Sequence, residues 1–379
     1  MRKLIKLSAA TAVAALATVM AIGPAMADPP TGVTPKEGDV VGVGSDTIEF
    51  LFDQFSFDYN KTHTGTHLYS WDALNPKTGA MGDNIVTKSG CSSTPRPDGS
   101  SAGITALDAN AKTADGKHFC IDFARSSRPR ASTDPAFGPG GIAFVALAKD
   151  AVTWASNATT NAPANLSTAQ LNAIYTCTDT NWNQVGGSNA PISAQLPQTG
   201  SGTRAFFLAA IGVATPGSCV NSTAQENEGV DPALQGPNVI FPFSVAKYIA
   251  EKFHSAACLN TSCTPNASGV TCTPKSGQNL FGCNTHGNMV LRNIDGTVPT
   301  TGTGTKTVIN SSFSPSFIRT VFEVVRFSSS TANHIPSNLE KFFASSTNTV
   351  KGWVCTNSTA KTDIRNYGFL TTPFCGVAS

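Results

Sequence analysis

Three times along this sequence a short apolar run ends in a turn of Ser, Thr or Gly. In two cases a helical pattern follows at once. Val40-Val41-Gly42-Val43-Gly44 passes through Ser45-Asp46-Thr47 into the amphipathic residues 48–55. Residues 119–124, a second strand pattern, run into Arg125-Ser126-Ser127-Arg128-Pro129. Residues 192–195 lead to Thr199-Gly200-Ser201-Gly202-Thr203-Arg204, then to good helix formers at 205–213. Strands that alternate with helices in this way predict an α/β chain with mainly parallel sheets.

The rest of the chain keeps the alternation. Residues 141–148 form a continuous apolar run, suited to a strand buried on both faces. Residues 166–175 read as a helix, with Ser167 as its cap and Leu166, Leu171, Ile174 and Tyr175 marking an apolar face. A strand at 238–243 precedes a helix at 245–254. Residues 103–112 and 338–343 read as helices and 321–327 as a strand. A last helix over 363–370 stops at Gly368.

The N-terminus carries the marks of a signal peptide. Arg2, Lys3 and Lys6 precede an apolar stretch over residues 7–22, and Ala25-Met26-Ala27 is a small-x-small cleavage pattern. Removing residues 1–27 leaves Asp28 first, with no Cys there to take a lipid. It also takes the charge from 26 basic and 24 acidic residues to 23 against 24, because the three lost charges are all basic. That balance gives no basic surface for nucleic acid. Residues 28–379 exceed what one compact core usually spans, roughly 250–300 residues, so two domains are expected.

All ten cysteines lie after the cleavage pattern. An even number in an exported chain reads as a disulfide set. No clustered CxxC spacing points to zinc. Local order suggests Cys91 with Cys120, Cys177 with Cys219, and Cys355 with Cys375. The Cys-, Thr- and Gly-rich residues 255–285, with Cys258, Cys263, Cys272 and Cys283, read as a stapled insertion.

The three turns share a chemistry. A helix N-terminus leaves backbone N–H groups unpaired and carries partial positive charge. Gly lets a ligand come close to the backbone, and hydroxyls add donors that rotate to fit. Together they suit a small anion. The candidate ligand residues are Ser45, Asp46, Thr47, Ser126, Ser127, Gly200, Ser201, Gly202, Thr203 and Arg204, with Arg125 and Arg128 close by. Taken singly, each turn reads equally as a helix cap or a plain turn.

Enzyme signatures are lacking. Gly200-Ser201-Gly202 is not the G-x-S-x-G elbow, and there is no Walker loop. His63 and His67 have Gly65 between them, which favours a turn over a metal-binding helix. No cofactor and no metal are expected.

In order along the chain, these segments resemble the phosphate-binding proteins of bacterial ABC importers. The matching stretches are Val41–Thr47, Ile121–Pro129, Leu166–Asn183 with its Trp182-Asn183 turn, the Gly200-Ser201-Gly202-Thr203 loop, and Asn366-Tyr367-Gly368-Phe369-Leu370. The resemblance implies a two-lobed periplasmic-binding-protein-like fold of type II, here disulfide-stabilised. Lobe one would be residues 28–148 plus 306–379, and lobe two residues 149–305. It implies capture of phosphate between the lobes by a secreted monomer, with an ABC permease as partner. The sequence departs from the family at three places, the first being Asp46 where the first motif has a Thr. Ser127 stands where the family has an Asp that accepts the proton of hydrogen phosphate. Pro197-Gln198-Thr199 stands where an Arg usually precedes the loop. Asp46 is the candidate replacement acceptor, and Arg204, Arg125 or Arg128 the replacement cation. Two other readings stay open: a binder of sulfate or another small anion, and a secreted interaction or sensor protein that kept the fold without transport.

Overall fold

The computed structural model describes residues 28–379, apart from 31, 77–78, 80, 254–260, 267–268, 275–285, 329–334 and 344–351. Of residues 261–266 and 269–274 it describes the backbone alone. The signal-peptide reading, on residues 1–27, lies outside the described residues. So does most of the 255–285 insertion, of which a two-stranded antiparallel hairpin, Thr261–Asn266 with Gly269–Pro274, is seen.

The chain begins with β1 (Val40–Gly44), a single 3-10 turn at Asp46–Ile48, and α1 (Glu49–Thr62). There follow β2 (Leu68–Ser70), α2 (Ser100–Asp108), β3 (Phe123–Ser126) and β4 (Ile142–Asn157). Next come α3 (Thr168–Tyr175), β5 (Ser193–Pro197), α4 (Gly202–Ala210), β6 (Asn221–Ala224), β7 (Val239–Ser244) and α5 (Val245–Phe253). The last elements used here are β8 (Met289–Leu291), β9 (Ile318–Arg326), α6 (Ser358–Asn366) and β10 (Leu370–Thr371). Ten strands join in the order β2-β1-β3-β9-β4-β7-β5-β6, with β8 and β10 also on β4.

Strand β4 organises the molecule. The strand continues past the expected end of its apolar run at 148, to a length of 16 residues. At about 3.3 Å per residue it spans some 50 Å, more than one small sheet needs. Residues 142–151 pair antiparallel with β9, and residues 152–155 pair antiparallel with β7. On the first side β1 lies parallel to β2 and β3, and β9 closes against β3. On the second side β7, β5 and β6 are mutually parallel. The result is two α/β lobes threaded by one long strand out and one strand back.

A large apolar cluster runs through both lobes, and each lobe adds a smaller one. In the first lobe, Phe52 and Phe55 of α1 pack with Phe123 and Phe343. On the opposite face α2 lays Ile104 and Leu107 against Val43, Ile142 and Val324. In the second, Phe241, Phe243 and Tyr248 pack with Leu234 and Met289. The Cys91–Cys120, Cys177–Cys219 and Cys355–Cys375 disulfides are all formed, as local order suggested. Cys258, Cys263, Cys272 and Cys283 fall where side chains are not described.

Most elements start or stop within a few residues of their expected places. Ser167 caps α3 in a full capping box with Gln170. Gly368 takes a left-handed φ of +79° just after α6. Two expectations shift. The first-turn helix starts as a 3-10 turn, because Ser45 makes no side-chain cap. The helix after the Gly-Ser-Gly-Thr loop starts three residues earlier than its run of helix formers, at Gly202, because Ser201 supplies an N-cap to the Arg204 N–H.

Candidate functional site

The three turns meet. Ser45 lies at the end of β1, Ser127 directly after β3, and Gly202 and Thr203 at the start of α4. All are buried. The Ser45 hydroxyl donates to Ser127 Oγ at 3.0 Å. Ser127 Oγ lies 3.3 Å from Ser100 Oγ, and Ser100 Oγ accepts the Ser127 backbone N–H at 3.0 Å. Thr47 Oγ1 and Thr203 Oγ1 are 3.3 Å apart, although 156 residues separate them. A Cβ on Gly202 would overlap both the Ser100 and the Ser127 hydroxyl oxygens. The α4 N-terminus therefore abuts the first lobe, and only glycine leaves the room.

Gly44 serves the same end from the other side. Its φ of +114° is a left-handed value, and an added Cβ would sit 2.8 Å from the Arg125 carbonyl oxygen. Gly103 of α2 faces the Gly44 Cα, so α2 lies close over the end of β1 and carries Ser100 into the cluster.

The cation at the cluster is Arg319, on β9. It pairs across the strands with Asp150 of β4 at the point where the chain passes between lobes. Its Nε and Nη2 donate to Asp150 Oδ2 at 3.0 and 2.7 Å. Nη2 also reaches Thr203 Oγ1 at 2.9 Å and Thr47 Oγ1 at 3.4 Å. Nη1 is buried with no hydrogen-bond partner. Asp150 is fixed in turn by the Ser244 hydroxyl and by the Ala246 N–H in the first turn of α5.

The arginines expected near the turns do other work. Arg125 is wholly buried and donates to Ser45 O, Gly44 O, Trp71 O and Ser70 Oγ, so it braces the first turn from beneath. Asp122, a possible partner for it, pairs with Lys88 instead. Arg128 forks onto Asp134 at 2.6 and 2.9 Å. Arg204 turns back to the Pro197 carbonyl. Among the other candidates, Ser126 Oγ closes its own turn with Arg128. The Gly200 carbonyl accepts the Ser101 N–H.

Asp46 is not a free acceptor. Its Oδ1 takes the Asn227 side-chain amide at 2.8 Å, and its Oδ2 lies 3.6 Å from Lys247 Nζ. Burial pushes its carboxyl well up, against the pull of Lys247. Burial alone would lower Lys247, but Asp46, Glu49, Glu251 and Glu228 surround it and hold it well above its ordinary value. Burial raises Glu228 to about 8.

Sequence reasoning missed Ser100, Asp150, Glu226 and Arg319. Gln225-Glu226-Asn227-Glu228 reads as a polar loop, yet all four are buried. Asn227 holds a left-handed φ of +56°, and its side chain ties Asp46 to the Ser244 N–H. Arg319 had one signal: a charge opening a strand of β-branched and aromatic residues. Two further ties cross the cleft, from Gln198 and Gln225 to Asp98 Oδ1 at 2.8 and 2.9 Å. Burial raises Asp98 to about 6.

No curated protein matches the chain. Among solved structures, it is similar to an ABC-type phosphate transport receptor from Vibrio cholerae, at 16% identity and a TM-score of 0.51, covering 88% of this chain and 100% of that one. It is also similar to a protein from Clostridium perfringens described as a phosphate ABC transporter substrate-binding protein, with phosphate bound. There the identity is 14% and the TM-score 0.53, covering 88% of this chain and 99% of that one. The model of the PBP superfamily domain matches residues 29–279. With that match over most of its length, and with two α/β lobes on one long strand, the chain belongs to the PBP superfamily.

Proposed function

We propose that this protein is an exported solute-binding protein that captures a small tetrahedral oxyanion, phosphate foremost, where its three turns meet. The observation that carries the reading is Arg319: a buried guanidinium beside Thr47 and Thr203, with its Nη1 left unpaired. A buried donor without a partner costs about 1–3 kcal/mol, and an oxyanion oxygen would relieve it. Arg319 takes the cationic role first assigned to Arg204, Arg125 or Arg128. Asp46, already engaged by Asn227 and Lys247, serves as a tie between lobes rather than as the acceptor.

The lobes would be residues 28–148 plus 306–379 and residues 149–305, closing on the ligand by hinge motion. The three disulfides support folding in an oxidising compartment, outside the cytoplasm. The phosphate-transport descriptions of the similar structures support phosphate as the first ligand to test and an ABC permease as partner.

Arg319→Lys is the informative substitution. It keeps a charge for Asp150 but loses the planar fork that reaches Thr47 and Thr203. Phosphate affinity should fall at least tenfold, about 1.4 kcal/mol, in a protein of unchanged far-ultraviolet circular dichroism. Unaltered affinity would remove Arg319 from the site.

A further inference from the structure

Two of the donors that would grip an oxyanion, the Thr203 N–H and the Thr47 hydroxyl, are already in use. Glu226 is wholly buried, and its Oε1 accepts the Thr203 backbone N–H of the α4 N-terminus at 3.0 Å. The same oxygen accepts the Thr47 hydroxyl, also at 3.0 Å. Thr47 belongs to the half of the sheet with β1, and Glu226 and Thr203 to the half with β5 and β6. The Glu226 backbone is fixed as well, its N–H donating to Gln198 Oε1 at 2.9 Å. Its second oxygen, Oε2, is buried without a partner, as is Arg319 Nη1.

We infer that the Glu226 carboxylate is a resident anion: it stands at the α4 N-terminus where a captured oxyanion would stand, and a ligand enters by displacing it. The inference rests on the oxyanion-binding reading above. One carboxylate oxygen satisfies a helix N-terminus and a hydroxyl from the opposite lobe, which are the contacts a bound oxyanion would make. A second anion beside it would meet like charge in a dry site, with Asp150 also at hand. Glu226 thus sets the threshold for entry. It admits only anions that satisfy the α4 N-terminus, Thr47 and the Arg319 fork better than one carboxylate oxygen does.

The test compares the wild-type protein with Glu226→Ala and Glu226→Gln, following the thermal midpoint against added phosphate and, separately, added acetate. A ligand that binds only the folded form raises the midpoint with the logarithm of its concentration once that exceeds Kd. In Glu226→Ala, the rise in midpoint should set in at a phosphate concentration at least tenfold lower than in wild type. Acetate, a small carboxylate, should refill the vacated position and raise the midpoint of Glu226→Ala but not of wild type. A response to acetate without a response to phosphate would uphold the resident anion and sink the phosphate reading. No acetate effect, with phosphate binding as in wild type or weaker, would overturn the resident anion while leaving the oxyanion site standing. No response to either anion, in wild type and in both variants, overturns both. Should Glu226→Ala not fold, Glu226→Gln keeps the volume and loses the charge. Tighter phosphate binding than wild type supports the inference there, and weaker binding overturns it.

Discussion

At position 202 a single hydrogen decides how close the lobes can come. The Gly202 Cα faces the Ser100 and Ser127 hydroxyls, and a methyl group there would overlap both. Gly202→Ala should lower the melting temperature, because the added methyl forces α4 off the buried Ser100 and Ser127 hydroxyls. Phosphate affinity should fall by a factor of ten or more, because α4 can no longer seat on the first lobe. Calorimetric titration of the variant reads this directly, and wild-type affinity would show that the lobes need not touch there. Much of this corner was legible beforehand. Ser45, Thr47, Ser127, Gly202 and Thr203 stand out in the sequence because hydroxyls and glycine after strands have a local physical meaning. Arg319 and Glu226 do not. Their importance comes from which strand pairs with β4 and how one loop folds inward, and neither is encoded within a few residues of them.

The elements carry a second lesson about reach. Apolar runs located β1 and β7 to within a few residues, since burial on both faces leaves a continuous apolar signature. The extent of β4 was hidden. Lys149 and Asp150 interrupt the apolar pattern, and what lets the strand continue is the Arg319–Asp150 pair across the ladder. Order along the chain also sufficed for three disulfides, because each closes a short loop. Cys355–Cys375, 20 residues apart, pins the α6 region beside β10, which pairs with β4 near the lobe junction. Replacing both cysteines by Ser should cost about 2–4 kcal/mol, read as a lower urea midpoint with a slope that is equal or steeper as the unfolded chain expands. An unshifted midpoint would mean that the packing of Ile364 and Phe369 already holds this segment.

Across the whole molecule, buried carboxyls dominate the pH response. Burial raises Asp363 to about 7 and Glu228 to about 8. It also pushes Asp53, Asp72 and Glu323 well up. In the unfolded chain such groups lose their protons near pH 4, so above that pH the folded form binds more protons than the unfolded one. Stability from these groups is therefore full below about pH 4 and is lost as pH rises through their folded values. Burial lowers His286 to about 4, which acts in the opposite sense, but its contribution is complete by about pH 6.5. The melting temperature should fall between pH 6.5 and 8.5, and a flat or rising profile by calorimetry would contradict these assignments. The same acid-rich interior surrounds the place proposed for the ligand, so anion capture depends on a few donors prevailing over much like charge.

That contest is settled most directly by isothermal titration of the oxidised protein, residues 28–379, unfolded and refolded to strip any ligand. Phosphate is the titrant, with sulfate in a parallel run at the same pH. One-to-one binding of phosphate, lost in Arg319→Lys and strengthened in Glu226→Ala, is the predicted result. A folded, stripped protein that gives no heat with either anion, in wild type and in Glu226→Ala alike, would contradict it. The hydroxyl cluster between the lobes would then be packing and no ligand site.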